Sequence, residues 1–348
     1  MNTKISAEII ADSITPYGEN LTTMRITFPR YILAELNTHR MLSKNSASSR
    51  AIPFEKMVKA VEENPFIPIA WQKDHKGMQG TEYLIDRKHE NAVYEWLKAR
   101  DYAVKQARMM NNDGVTKQLC NRLLEPFMWN TVLVTATDWE NFFALRCPQY
   151  QTPVSRTVEP QRSWKDLLAV HSNPINAELL IENKDNWTFK MQHSLSGAEI
   201  HIQALAEAIW DALKESTPKK LKEGEWHIPF GDNITNKELS ENLYHLGGSN
   251  DQLRVKIATA RCARVSYTVI GEEEKKSNYQ NDIKLHDRLA SMGHWSPFEH
   301  CARVMDDMER AYYYTSTGPT PDKFHTGVLG NFRGFIQYRK MFENENIL

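Results

Sequence analysis

Between Met24 and Phe54 stand five basic residues, Arg25, Arg30, Arg40, Lys44 and Arg50, against a single acid, Glu35. The stretch is therefore strongly positive inside a chain whose 43 Lys and Arg are balanced by 44 Asp and Glu. Its centre, His39-Arg40-Met41-Leu42-Ser43-Lys44-Asn45-Ser46-Ala47-Ser48-Ser49-Arg50, sets guanidinium forks among hydroxyl and amide groups, the equipment that holds phosphate. A solvated basic loop would have the same composition, so composition alone leaves both readings open. A second cluster, His294-Trp295-Ser296-Pro297-Phe298-Glu299-His300, brackets a carboxylate with two histidines. Pro297 breaks any helix that could present both rings to one ion, and no metal is expected. The four cysteines, Cys120, Cys147, Cys262 and Cys301, are scattered without a C-x2-C pair, which argues against zinc and against a secreted disulfide framework. Cys147 adjoins Arg146, but a packed thiol is expected there rather than a nucleophile.

The spacing goes further than the composition. The pattern His-Arg-x2-Ser-x-Asn-x2-Ser-x-Arg, filled by His39, Arg40, Ser43, Asn45, Ser48 and Arg50, resembles the signature loop of the flavin-dependent thymidylate synthases. Where that family usually writes Arg-His-Arg and a Glu after the Asn, this chain has Thr38 and Ser46, and Glu35 stands where Gln is common. Asn121-Arg122-Leu123-Leu124-Glu125-Pro126 is similar to the family's Ala-Arg-x2-Leu-Pro segment, and Asn141-Phe142-Phe143-Ala144-Leu145-Arg146 to its Asn-Phe-x2-Leu-Arg helix. Gly293 to His300 resembles its Gly-His-x-Ser/Thr-Pro-Phe-Glu-His box, preceded by Ala263-Arg264-Val265-Ser266-Tyr267. That box lies upstream of the loop in the family and roughly 250 residues downstream of it here. The resemblance thus runs over most of the chain as a circular permutation, which preserves packed contacts when the old termini are close.

The resemblance implies reductive methylation of dUMP at C5, with methylenetetrahydrofolate and FAD reduced by NADPH, giving dTMP. Arg146 would be the catalytic guanidinium, stabilising negative charge on the pyrimidine. Glu35, Ser48, Arg50 and Arg122 would lie at the nucleotide, and His39, Arg40, Asn141, Ser296 and Glu299 at FAD. A homotetramer with flavin between subunits is implied. Two alternatives remain at this stage: a flavin- and folate-dependent methylase or hydroxymethylase of another pyrimidine deoxynucleotide such as dCMP, and a non-catalytic binder of phosphorylated ligands or single-stranded nucleic acid.

These groups need a scaffold, and 348 residues allow about two domains or one large one. The composition is that of a globular protein, and the net charge of −1 gives no global argument for nucleic acid or an anionic membrane. Apolar runs such as 142–145 fall far short of the roughly 18 residues a membrane span needs, and the N-terminus has no apolar leader, so a cytoplasmic location is expected. Alternation over 4–36 predicts two strands about a turn at Pro16-Tyr17-Gly18. Residues 43–49, rich in Ser and Asn, read as an irregular loop, and 51–82 as punctuated by prolines and glycines. Helices are predicted over 83–108, 113–124, 139–145, 197–214, 253–263 and 282–292, with a strand at 264–267 and further strands towards the C-terminus. The pattern weakens between Arg156 and Gln192, which reads as an insertion, and 219–250 reads as a long connection. The expectation is an α+β fold, a mixed α/β catalytic core with an antiparallel sheet and packed helices. Its parts would be a nucleotide- and flavin-binding half (1–165), a partial insertion with long helix and connection (166–250), and the second half of the core (251–348).

Overall fold

The computed structural model describes residues 4–76, 80, 82–151, 159–170, 174–243, 249–267, 278–315 and 330–345. Gly77, Gly247, Gly248, residues 156–158 of the expected insertion and residues 316–329 of the expected C-terminal strands lie outside them. The described chain is a mixture of helices with mainly antiparallel strands, as the α+β expectation required in its coarse form.

Strands β1 (Ser6–Ile14) and β2 (Asn20–Pro29) form the predicted hairpin. Gly18 turns it at φ +93°, a conformation that favours glycine. Helix α1 (Leu33–Asn37), β3 (Ser43–Ser46), α2 (Phe54–Glu63), α3 (Asp86–Asn112), α4 (Lys117–Cys120), β4 (Trp129–Ala136) and α5 (Glu140–Arg146) follow. Next come α6 (Trp164–Val170), α7 (Pro174–Glu182), α8 (Trp187–Met191), α9 (Ile200–Glu215), β5 (Lys219–Lys220), β6 (Trp226–His227) and α10 (Asn236–Leu243). The chain continues with α11 (Asn250–Arg264), α12 (Tyr279–Ser291), β7 (Ala302–Val304), α13 (Asp307–Thr315) and β8 (Phe335–Gln337).

One sheet has the order β3-β4-β2-β1-β5, antiparallel except where β5 joins β1; a smaller antiparallel sheet has the order β6-β7-β8. On the larger sheet, Met24, Ile26 and Phe28 of β2 and Val132, Val134 and Ala136 of β4 share a core with Ile202, Leu205, Ala206 and Ile209 of α9 and Phe142 and Phe143 of α5. Each of these side chains larger than alanine contributes about 1.5–3 kcal/mol by leaving water. Glu199 starts α9 by accepting the His201 and Ile202 N–H groups, and Pro218 lies just beyond its end. On the opposite face Leu133 meets Cys262 and Val265. The main sheet is therefore packed on both sides, and the C-terminal segments lie against the face away from α9.

Three expectations fail locally. Residues 43–46 form a strand, since β4 supplies a ladder that their polar side chains do not oppose. Residues 265–267 form a 3-10 turn continuing α11, not a strand. The helix expected over 113–124 is only one turn before a 3-10 segment, Asn121–Phe127, that contains Pro126. Helices α2, α10 and α13 and strand β4 were not expected; α2 runs between Pro53 and Pro65, prolines that mark its ends rather than forbid it. The described part of the expected insertion, which leaves out 171–173 as well as 156–158, folds into α6, α7 and α8, whose Trp164, Leu167, Leu180 and Met191 pack with Tyr150 and Ile200.

Candidate active site

β3 is an edge strand, and the side chain that anchors it is Asn45. Buried at 6% exposure, its amide nitrogen donates to the Cys262 carbonyl at 2.8 Å. Its oxygen accepts the hydroxyls of Ser266 and Ser296, each at 3.2 Å. One carboxamide thus joins the basic loop, the end of α11 and the Ser-Pro-Phe-Glu-His box. Ser43 adds a fourth segment by donating to Asn331 at 3.1 Å and accepting from Gln337 at 3.3 Å. Further along, the Ala47 N–H donates to Thr131 and the Ser48 N–H to the Ser266 carbonyl, at 2.8 and 3.1 Å. The Ser48 backbone is therefore fixed.

Arg146 closes α5. Its Nε donates to His39 Nε2 at 3.0 Å, and its Nη1 stands 3.6 Å from Glu35 on α1. The guanidinium carries five N–H donors, so most of the fork remains uncommitted. The His39 ring is turned inward at 7% exposure, with its edge on Phe142, ring centroids 5.0 Å apart. Burial pushes this imidazole below its usual range; Arg146 and Lys44 act the same way, and a hydrogen bond with Asn141 opposes them. Burial raises Glu35 above the ordinary carboxylate range, as does the charge of Glu199, while Arg146 opposes. The helix-end arginine is thus paired with a carboxylate as well as with histidine.

Lys44 Nζ donates to the His39 carbonyl at 2.6 Å, and burial brings its ammonium down to about 8 against the opposing charge of Glu299. Glu299 pairs with Arg339 at 2.5 Å. Arg122 turns to Glu125 at 3.1 Å, a carboxylate that also accepts from Ser49 and approaches Arg30 at 3.7 Å. Arg122 is thereby linked to the loop only through Glu125. Arg40 and Arg50 are exposed and, among the described residues, pair with no carboxylate. Asn141 and Ser296 are also exposed.

Two cavities border this region. One of about 100 Å³ is lined by Ala47 and Ser49 of the loop, Ile52 and residues 127–131. An open one of about 360 Å³ lies beside Tyr31, Trp96, Glu199 and His201. Arg40, Arg50, Asn141 and Ser296 lie on the surface of the chain. All four cysteines are buried and free, and burial raises the Cys147 thiol, as expected of packing rather than nucleophilic service. His294 is exposed while His300 is wholly buried. No helix among the described residues is long and apolar enough to cross a membrane.

Asn45, Lys44, Ser266 and Gln337 were not singled out as site residues from sequence. Asn45 stood within the matched loop. Gln337 and Arg339 reach this region through Ser43 and Glu299. Lys44 had no signal beyond its charge.

No protein-family profile matches the chain, and no curated protein matches it in sequence. Among solved structures, it is similar to a UMP/dUMP methylase, PolB, from Streptomyces cacaoi bound with 5-Br UMP. That match has 13% identity and a TM-score of 0.40, covering 62% of this chain and 90% of the other. The same enzyme bound with 5-Br dUMP matches at 12% identity and a TM-score of 0.35, covering 55% and 94%. At such values the functional reading rests on the residues of this chain.

Proposed function

We propose that the protein is a flavin-dependent thymidylate synthase-like enzyme that methylates dUMP at C5 with methylenetetrahydrofolate and reduced FAD, releasing dTMP and tetrahydrofolate. The observation that carries this reading is the Asn45 carboxamide, which gathers the matched loop, the Arg-x-Ser-Tyr segment and the Ser-Pro-Phe-Glu-His box within hydrogen-bond distance. Segments whose order in the chain is permuted meet at one point, and a solvated basic loop gives no reason for that meeting.

The donor set suits the cofactor. Arg40, with no carboxylate partner among the described residues, offers a cation to a pyrophosphate, while the exposed Asn141 amide, shared with His39, and the Ser296 oxygen, whose O–H goes to Asn45, would face the amides of a ring. FAD, reduced by NADPH, would supply the hydride that converts the transferred one-carbon unit to methyl. Ser48 and Arg50 hold the nucleotide phosphate, with Arg122 swinging from Glu125 to join them. C5 of uracil is a weak carbon nucleophile, and Arg146 assists by placing its free N–H groups against the ring edge where negative charge develops. Neutral His39 and Glu35 hold that guanidinium in place. Glu299, tied to Arg339, supports the flavin side through the box.

Met41, Leu145, Tyr267 and Met292 are exposed at 47%, 56%, 52% and 62%. Each lies next to, or near, a site segment, which supports a site completed by another subunit of a homo-oligomer, a tetramer by resemblance. The test is titration of the purified protein with FAD, read by visible absorption and fluorescence. Perturbed, quenched flavin is expected; a colourless protein that leaves added FAD spectrally free would reject the reading.

A further inference from the structure

Side chains alternate along a strand, so Ser43 and Asn45 share one face of β3 and Lys44 takes the other. The first two secure the strand. Lys44 instead reaches back over the turn at 39–42, where its ammonium meets the His39 carbonyl at 2.6 Å, half-buried, with the Glu299 carboxylate acting on it from further away. The consequence lies in the His39 ring. Its Nε2 accepts a hydrogen bond from Arg146 at 3.0 Å, so that nitrogen carries no proton and Nδ1 does. Protonated, the ring would turn an N–H towards an N–H and set two cations at hydrogen-bond distance. Neutral His39 is therefore a condition for the observed position of Arg146.

The groups that act on His39 are the Arg146 guanidinium and Asn141 amide from α5 and the Lys44 ammonium from β3. Glu35 stands on the far side of Arg146 and Glu299 near Lys44. We propose that Lys44 is a positioning residue: bound to the His39 carbonyl, it adds its charge to the burial that keeps His39 the neutral acceptor that aims Arg146. The functional consequence rests on Arg146 facing the substrate, whereas the clasp itself does not depend on that reading.

The experiment follows the His39 imidazole by NMR against pH in the wild type, Lys44→Met and Lys44→Arg, with His39→Gln to assign the resonance. Removing a positive charge beside the ring should let it protonate at a pH higher by about half a unit or more, and Lys44→Arg should restore most of the wild-type value. The acid limb of dUMP turnover should move in the same direction in Lys44→Met. Wild-type His39 should also show a second, smaller step near 8 as Lys44 loses its proton, a reading that needs no variant. If Lys44→Met fails to fold, Lys44→Gln decides the question. An unchanged His39 titration on loss of Lys44 overturns the proposal. A shifted titration in a protein that turns over no dUMP would uphold the clasp and reject the enzymatic reading.

Discussion

At the scale of single residues, the decisive geometry is the Arg146 fork. One N–H goes to His39 and another edge faces Glu35, and the rest must serve the substrate if the proposed chemistry holds. Arg146→Lys keeps the charge but cannot reach three partners in one plane. It should lower kcat while changing KM for dUMP little; weakened binding with normal turnover at saturation would reduce Arg146 to a binding group. Glu35 belongs to the same fork. The structure pairs it with Arg146. Since Gln can still accept from that guanidinium, Glu35→Gln should change dUMP affinity by less than about tenfold, or roughly 1.4 kcal/mol, and leave base preference intact. Competition between dUMP and dCMP reads this directly, and a reversed preference would favour the cytosine alternative.

At the scale of elements, β3 depends on one side chain. Asn45→Ala would remove three hydrogen bonds and strand the buried Cys262 carbonyl, so we expect a loss of about 2–3 kcal/mol in urea denaturation. FAD binding should weaken with it, because the box would no longer be tied to the loop; an unchanged denaturation midpoint would remove Asn45 from the centre of the account. The same strand shows why some elements were legible and others not. Helix α9 announces itself through Ile202, Leu205, Ala206 and Ile209, spaced for one buried face. Ser43-Lys44-Asn45-Ser46 carries no such period, and becomes a strand only because β4 and the residues around 262, 296 and 331 meet it. Conversely, Val265-Ser266-Tyr267 looks like strand by residue type but simply extends α11. The motif spacing singled out Arg146, His39 and Ser296, while Lys44, held by a backbone carbonyl, makes a contact that only the folded turn creates.

At the scale of the whole molecule, a buried polar chain crosses between the two sheets. Ser13 on β1 meets His227 on β6, whose other nitrogen meets Thr23 on β2; Thr23 meets Thr135 on β4, which meets His300, at 2.7–2.9 Å throughout. Burial holds both histidines down to about 3, against about 6.5 in an unfolded chain. As pH falls below 6.5, the unfolded state therefore takes up protons that the native state refuses. The stability from these neutral rings is fully present above 6.5 and lost progressively towards 3, by about 1.4 kcal/mol per histidine per pH unit. Urea midpoints should fall clearly between pH 7 and 5, and a flat profile would mean that at least one ring is charged in the fold. The same two sheets bring the loop, the end of α11 and the Ser-Pro-Phe-Glu-His box together, and the proposal is that they form one methylating site. It is tested most directly by incubating the protein with dUMP, methylenetetrahydrofolate and chemically reduced FAD and weighing the nucleotide product by mass spectrometry. A nucleotide heavier than dUMP by a single CH2 group is expected; dUMP recovered unchanged while dCMP gains a one-carbon unit would overturn the assignment of dUMP as substrate.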